Sequence, residues 1–166
     1  DPVAMQGLVN ELGLLPDGTS LKDVMGAAMY EEAAEAAEAI DIPLDMLGRS
    51  EPWLAAMTVE EMLLFRLGFN PMLGVEMHLT AQATRDGKPI EGFETVEEQL
   101  RFLDDLSPGA QNEMLLQTLK ESAELASLMD QVIDAWRRGD TEFLEETLLA
   151  DMQQYEELNR TLVVDR

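Results

Sequence analysis

Apolar residues recur along this chain at spacings of three and four, the helical period, and turn residues cut the pattern into successive helices. Asp1-Pro2 reads as a helix opening, with the acid as cap and proline in the first turn, and the helix runs to Leu12 before Gly13 stops it. Pro16-Asp17-Gly18-Thr19-Ser20 is turn chemistry, after which Ser20 caps Leu21 to Met25. Ala27 to Ile40 is rich in alanine and glutamate with few large anchors, which predicts an exposed or loosely docked helix. Pro43 and Gly48-Arg49-Ser50 bracket a short connecting helix, and Glu51 to Leu67 forms the next, ended by Gly68. Thr58-Val59-Glu60-Glu61 inside that segment fits a capping box and allows a break or a bend at Thr58.

Asn70-Pro71 starts a helix that carries Gly74, His78 and Ala81 and stops at Asp86-Gly87. Lys88 to Phe93 reads as the one strand, with Pro89 suited to its start or edge. Thr95-Val96-Glu97-Glu98 is a second capping box and opens a helix to Leu106. Ser107-Pro108 then starts the longest predicted helix, Ala110 to Arg138, with a packing seam from Leu115 and Leu119 through Ser122, Ala126, Met129 and Ile133 to Trp136. Gly139-Asp140 is a stop and a cap, and Phe143, Leu144, Thr147, Leu148, Met152 and Tyr155 line a final long helix, with Leu158 to Arg166 helical or fraying. The expected fold is therefore mainly α: a single helical region over residues 1–166 with one short strand, 88–93, that belongs to an incomplete α/β core. An isolated strand is not stable, so this one needs a local partner or a second copy of the chain, or else it melts into an extended connector.

Composition narrows the function more than the fold. Eleven basic residues against 34 acidic ones give a net charge of −23. Such a surface repels phosphate backbones and anionic lipid, which argues against nucleic-acid and membrane-surface binding and favours cations or basic peptides. With no cysteine, thiol catalysis, zinc–thiolate sites and disulfides are excluded. No apolar run approaches the ~20 residues of a membrane span, and no secretory leader is visible at the start. Eleven methionines fall mostly at helical core positions, where they fill gaps.

Few side chains invite chemistry. Glu94 stands where the strand delivers a helix, so the helix N-terminus favours its ionised form. That suits a base or a metal ligand, and it equally suits a carboxylate that only steadies the turn. Glu98 is best explained as the reciprocal capping partner of Thr95. His78, the single histidine, shares a face with Gly74 and Ala81, which favours a buried, hydrogen-bonded residue over a ligand. One histidine without cysteine makes no conventional zinc site, and no nucleophile elbow, Walker loop, H-E-x-x-H or EF-hand spacing occurs.

Several motifs occur in a telling order. Gly13-Leu14-Leu15-Pro16-Asp17-Gly18-Thr19 is followed by Pro52-Trp53-Leu54-Ala55-Ala56-Met57, Gly68-Phe69-Asn70-Pro71 and Gly74-Val75-Glu76-Met77-His78-Leu79. Next come Gly87-Lys88-Pro89-Ile90-Glu91-Gly92-Phe93-Glu94-Thr95-Val96-Glu97-Glu98-Gln99 and the ending Leu158 to Arg166. This order resembles the TraB/GumN family, whose superfamily includes the animal TIKI proteases. The resemblance implies a metal-dependent peptidase or hydrolase whose two G-x-x-H motifs flank the region seen here. The chain then corresponds to the central helical portion of a larger domain, inactive alone, with a divalent metal of unknown identity in the full-length protein and none bound by this portion. The resemblance places Glu94 at the family's acidic residue of Glu-x-x-Glu-Glu-Gln and Arg166 at the arginine of its Arg-Asn pair. Glu76 stands where the family usually has aspartate, and His78 lies in G-x-x-x-H, so no metal role passes to either. With Glu94 foremost, His78 and Arg166 complete the candidate catalytic set. A peptide or protein substrate and an extracytoplasmic, periplasmic location follow from the resemblance alone. The rival expectation is a non-catalytic acidic helical domain that binds proteins.

Overall fold

The computed structural model describes residues 2–149 together with residues 157 and 160. Its elements are α1 (Pro2–Gly13), α2 (Leu21–Met25), α3 (Ala27–Ala39), α4 (Pro52–Arg66), α5 (Val75–Arg85), α6 (Val96–Asp104), α7 (Pro108–Glu121), α8 (Leu125–Arg138) and α9 (Thr141–Leu149). Short 3-10 turns at Leu44–Leu47 and Pro71–Leu73 join them. Most boundaries are chemical. Ser20 and Asp23 form a reciprocal cap on α2, Thr95 and Glu98 do the same on α6, and the Ser107 hydroxyl caps α7. Gly68 and Gly139 take positive φ, 87° and 71°, conformations that cost other residues energy, and each ends a helical run.

The core lies where α3, α4 and α7 meet. Leu115 and Leu119 of α7 are fully buried, as are Trp53, Ala55 and Val59 of α4 and Ala33 and Ala37 of α3. The alanine-rich α3 is therefore closely docked, not loosely attached as its composition suggests. Its two small residues, four apart, let α7 approach the α3 backbone, and Lys120 reaches over to Glu32 at 2.6 Å. A short crossing ties the start of α4 to the end of α1: Glu51 N–H donates to Gly13 C=O at 2.8 Å and Leu15 N–H to Arg49 C=O at 2.8 Å. This Leu14–Ser50 bridge is the isolated β-pairing among the described residues.

Several sequence expectations need correction. Lys88 to Phe93 is not a strand but irregular chain ending in a bend, with Phe93 fully exposed. No sheet forms among the described residues, so an α/β core is absent from them. The physical reason is that an extended segment is held only by pairing, and nothing aligned lies beside this one. Helix α4 does not break at Thr58. There the hydroxyl donates back to Leu54 C=O at 2.8 Å instead of capping a new helix. The predicted helix 110–138 is two helices. Ser122 bonds back to Thr118 C=O, and the next turn tightens to i→i−3 bonds, Glu124 N–H to Glu121 C=O and Leu125 N–H to Ser122 C=O. Beyond this break the seam opens, and Trp136 is 71% exposed. The methionines are not mainly core either: Met25 is buried, whereas Met5, Met46, Met57, Met72 and Met77 are exposed. Met152, Tyr155 and the segment 158–166 fall outside the described residues apart from Arg160.

Burial is uneven along the chain. No residue from Leu64 to Asp105 is fully buried, although the segment contains all of α5 and α6. That excursion holds His78, Glu94 and most of the exposed large apolar side chains.

Candidate functional site

Glu94 stands at the bend before α6, one residue ahead of the Thr95 cap. It is half-buried, and its Oε1 accepts a hydrogen bond from Gln99 Nε2 at 2.8 Å. The side chain thus spans the first turn of α6, near the positive end of the helix dipole. Glu98 is occupied as the capping box requires: its Oε2 accepts from Thr95 N–H at 2.6 Å, and its own N–H donates to Thr95 Oγ1 at 3.2 Å. These bonds to the backbone and hydroxyl of Thr95 hold the Glu98 carboxyl below its usual pKa.

His78 is exposed on α5, not buried and hydrogen-bonded as its small-residue face suggests. On the same face Ala81 is exposed and Gly74 only partly buried. Arg166 lies outside the described residues. Among the described residues no group of three or more His, Asp or Glu side chains is arranged to hold a metal ion. The resemblance places the metal's ligands outside this portion, and no chemical step is derived through the metal.

Two features emerge that the motifs did not indicate. The first is a groove of about 400 Å³ on the outer side of α4. At about 100° per residue, Met57, Glu61, Leu64 and Phe65 lie opposite the buried stripe of Ala55, Ala56, Val59 and Leu63. The chain turns at Gly68, so Phe69, Pro71 and Gly74 form the facing wall. The signal in the sequence is the double stripe: a helix apolar on two opposite sides has something to cover on both.

The second is a polar nook where α4 begins and α6 ends. Burial pushes the Glu51 carboxyl above its ordinary pKa, and the negative charge of Asp104 adds to the effect. Asp104 is also raised, chiefly by burial, with a further push from Asp105; the Trp53 indole and Arg101 pull the other way. The Trp53 N–H is buried without a hydrogen bond of normal geometry, so its dipole acts on Asp104 without a full bond. Gln111 closes the nook by donating to Asp104 C=O at 3.0 Å and Leu106 C=O at 3.2 Å. Burial thus disfavours the charged form of both carboxyls. The nook reads as a proton-sensitive joint between α4, α6 and α7.

Comparison with known proteins gives one match. A family model described as the TraB/PrgY/gumN family matches residues 1–166. No curated protein and no solved structure matches the chain.

Proposed function

Because the chain belongs to the TraB/PrgY/gumN family over residues 1–166, we propose that it is the helical, polypeptide-facing wall of a metal-dependent peptidase or hydrolase. The observation that carries this reading is the outer face of α4, where a helix already packed on its inner side presents a second apolar stripe and a groove. A wall of this kind contributes by holding an extended or helical segment in place, which lowers the entropic cost of reaching the reaction geometry. In this reading, groups outside these 166 residues complete the reaction centre, and Glu94 is the contribution of this portion. Its carboxylate stands just before α6 and is oriented by the hydrogen bond it accepts from Gln99.

Peptide cleavage by the full-length protein, assayed with and without added divalent metal, tests the proposal. Glu94→Gln is expected to lower kcat by at least about 100-fold, the ordinary size of a lost general base, while the far-UV circular dichroism stays unchanged. Full activity in that variant would remove Glu94 from the chemistry. The rival reading, a non-catalytic acidic interaction domain, draws on the same groove. It gains if the full-length protein binds polypeptide segments and leaves them intact with every divalent metal supplied.

A further inference from the structure

We propose that the groove on the outer face of α4 docks an amphipathic segment of a partner protein that has bulky apolar residues flanked by lysine or arginine. This rests on reading that face as a polypeptide-contacting wall, and it names what the wall selects. The floor is apolar and adaptable: Met57 is 41% exposed and Phe65 52% exposed, in a molecule whose inner α4 stripe is closely packed. Methionine beside phenylalanine suits a surface that repacks around different anchors. The space of about 400 Å³ is enough for one or two large side chains, not for a whole second domain.

Charge decides the occupant. Glu60 and Glu61 line the groove, and among the described residues no basic one does. The nearest base along α4, Arg66, is turned away, with its guanidinium donating to Ile40 C=O at 2.6 Å and Asp41 C=O at 2.9 Å. A segment that buries apolar anchors there brings its flanking residues against two uncompensated carboxylates. Basic flanks gain from that arrangement and acidic ones lose. The same argument disfavours a second copy of the chain. Two such faces would oppose Glu60 and Glu61 with their own duplicates, on molecules that each carry −23. The apolar anchors give affinity, and the two glutamates give the choice of partner.

Fluorescence anisotropy tests this with the 166-residue chain and a labelled synthetic peptide carrying two phenylalanines one helical turn apart, with lysines on both sides. The peptide is expected to bind saturably at one site in physiological salt. Phe65→Ser is expected to weaken binding at least tenfold, as is Glu60→Lys combined with Glu61→Lys. A control peptide that keeps the lysines and replaces the phenylalanines with serine is expected to bind at least tenfold more weakly. All three substituted side chains are exposed, and Met57→Ser is a second groove variant should Phe65→Ser fail to fold. Binding that survives charge reversal, or that the serine peptide matches, would reveal diffuse attraction to an acidic surface and overturn the proposal. So would no binding at all, or a dimer in light scattering that Phe65→Ser dissolves, which would make a second copy the occupant. Since the readout is binding, the groove can fail while Glu94-dependent cleavage stands, and the reverse also holds.

Discussion

Glu51 shows what a single side chain contributes when its surroundings oppose its charge. Its N–H is committed to Gly13 C=O, which fixes the residue at the α1–α4 crossing and leaves its carboxyl partly buried near Asp104. The folded state therefore binds the proton more tightly than the unfolded chain does. Ionisation as pH rises through the raised pKa costs folding free energy, and that cost is absent below the unfolded value of about 4.3. Glu51→Gln is thus expected to raise the melting temperature at pH 7 and to give no advantage at pH 4. Much of the group is solvated, so the gain is less than about 1 kcal/mol. Thermal unfolding of both proteins at the two pH values checks it, and equal melting temperatures at pH 7 would show that the carboxyl is fully solvated. No spacing rule joins positions 51 and 104, so this joint is invisible in the sequence. The Thr95–Glu98 pair is the opposite case: three residues apart, it obeys a local rule and is readable at sight.

Among elements, α6 tests how far a cap can hold a helix with no fully buried side chain. It has no buried residue, and α1 is its principal neighbour. Its integrity therefore depends on the Thr95–Glu98 box and on the Arg101–Glu97 pair at 2.9 Å, an exposed i, i+4 contact of small worth. Thr95→Ala removes one partner of the box and is expected to cost about 1 kcal/mol. Because the core does not run through α6, the loss is local. Hydrogen exchange in residues 96–104 should accelerate several-fold while the melting temperature barely moves. A large fall in melting temperature would mean that α6 belongs to the cooperative core. The Glu98 carboxyl has a lowered pKa, so its capping contribution is complete above the unfolded value and lost as pH falls through the lower folded one. Exchange in α6 should rise further in that acid range. Start and stop signals made these elements legible, from Ser20 and Ser107 to Gly68 and Gly139. What failed were judgements that needed a neighbour. The 88–93 segment carries strand-like residues with nothing to pair to, and the helical period runs unbroken through Ser122 although the backbone does not.

For the whole molecule, the division between core and excursion matters more than any element. Among the described residues, those up to Leu63 and from Leu106 onward hold every buried side chain, and the stretch between them carries His78 and Glu94 on a frame that packs little. Apolar periodicity located α4 and α7 in the core, because their stripes face each other, but it passed over the alanine-rich α3. It misassigned the excursion, because an apolar face with no partner has the same sequence period as a buried one. The charge acts on this loosely held frame. Thirty-four acidic residues against 11 basic ones repel one another across the surface, and compaction brings them closer. The ion pairs among the described residues, such as Arg49–Asp17 at 2.9 Å and Lys120–Glu32 at 2.6 Å, have side chains about half exposed or more, so each offsets little of that repulsion. Salt weakens both terms, but the repulsive one is larger. Raising ionic strength from about 0.01 M to about 0.15 M shortens the screening length from about 30 Å to about 8 Å. The expected result is a gain of about 1 kcal/mol, or about 2–4 °C for a chain of this size. Calorimetry in sodium chloride across that range measures it. Sodium sulfate at matched ionic strength separates screening from surface exclusion, because sulfate strengthens apolar burial as well. A melting temperature that falls with sodium chloride would mean the few ion pairs outweigh the excess of negative charge, and the acidic surface would then be a stabilising network instead of a standing cost.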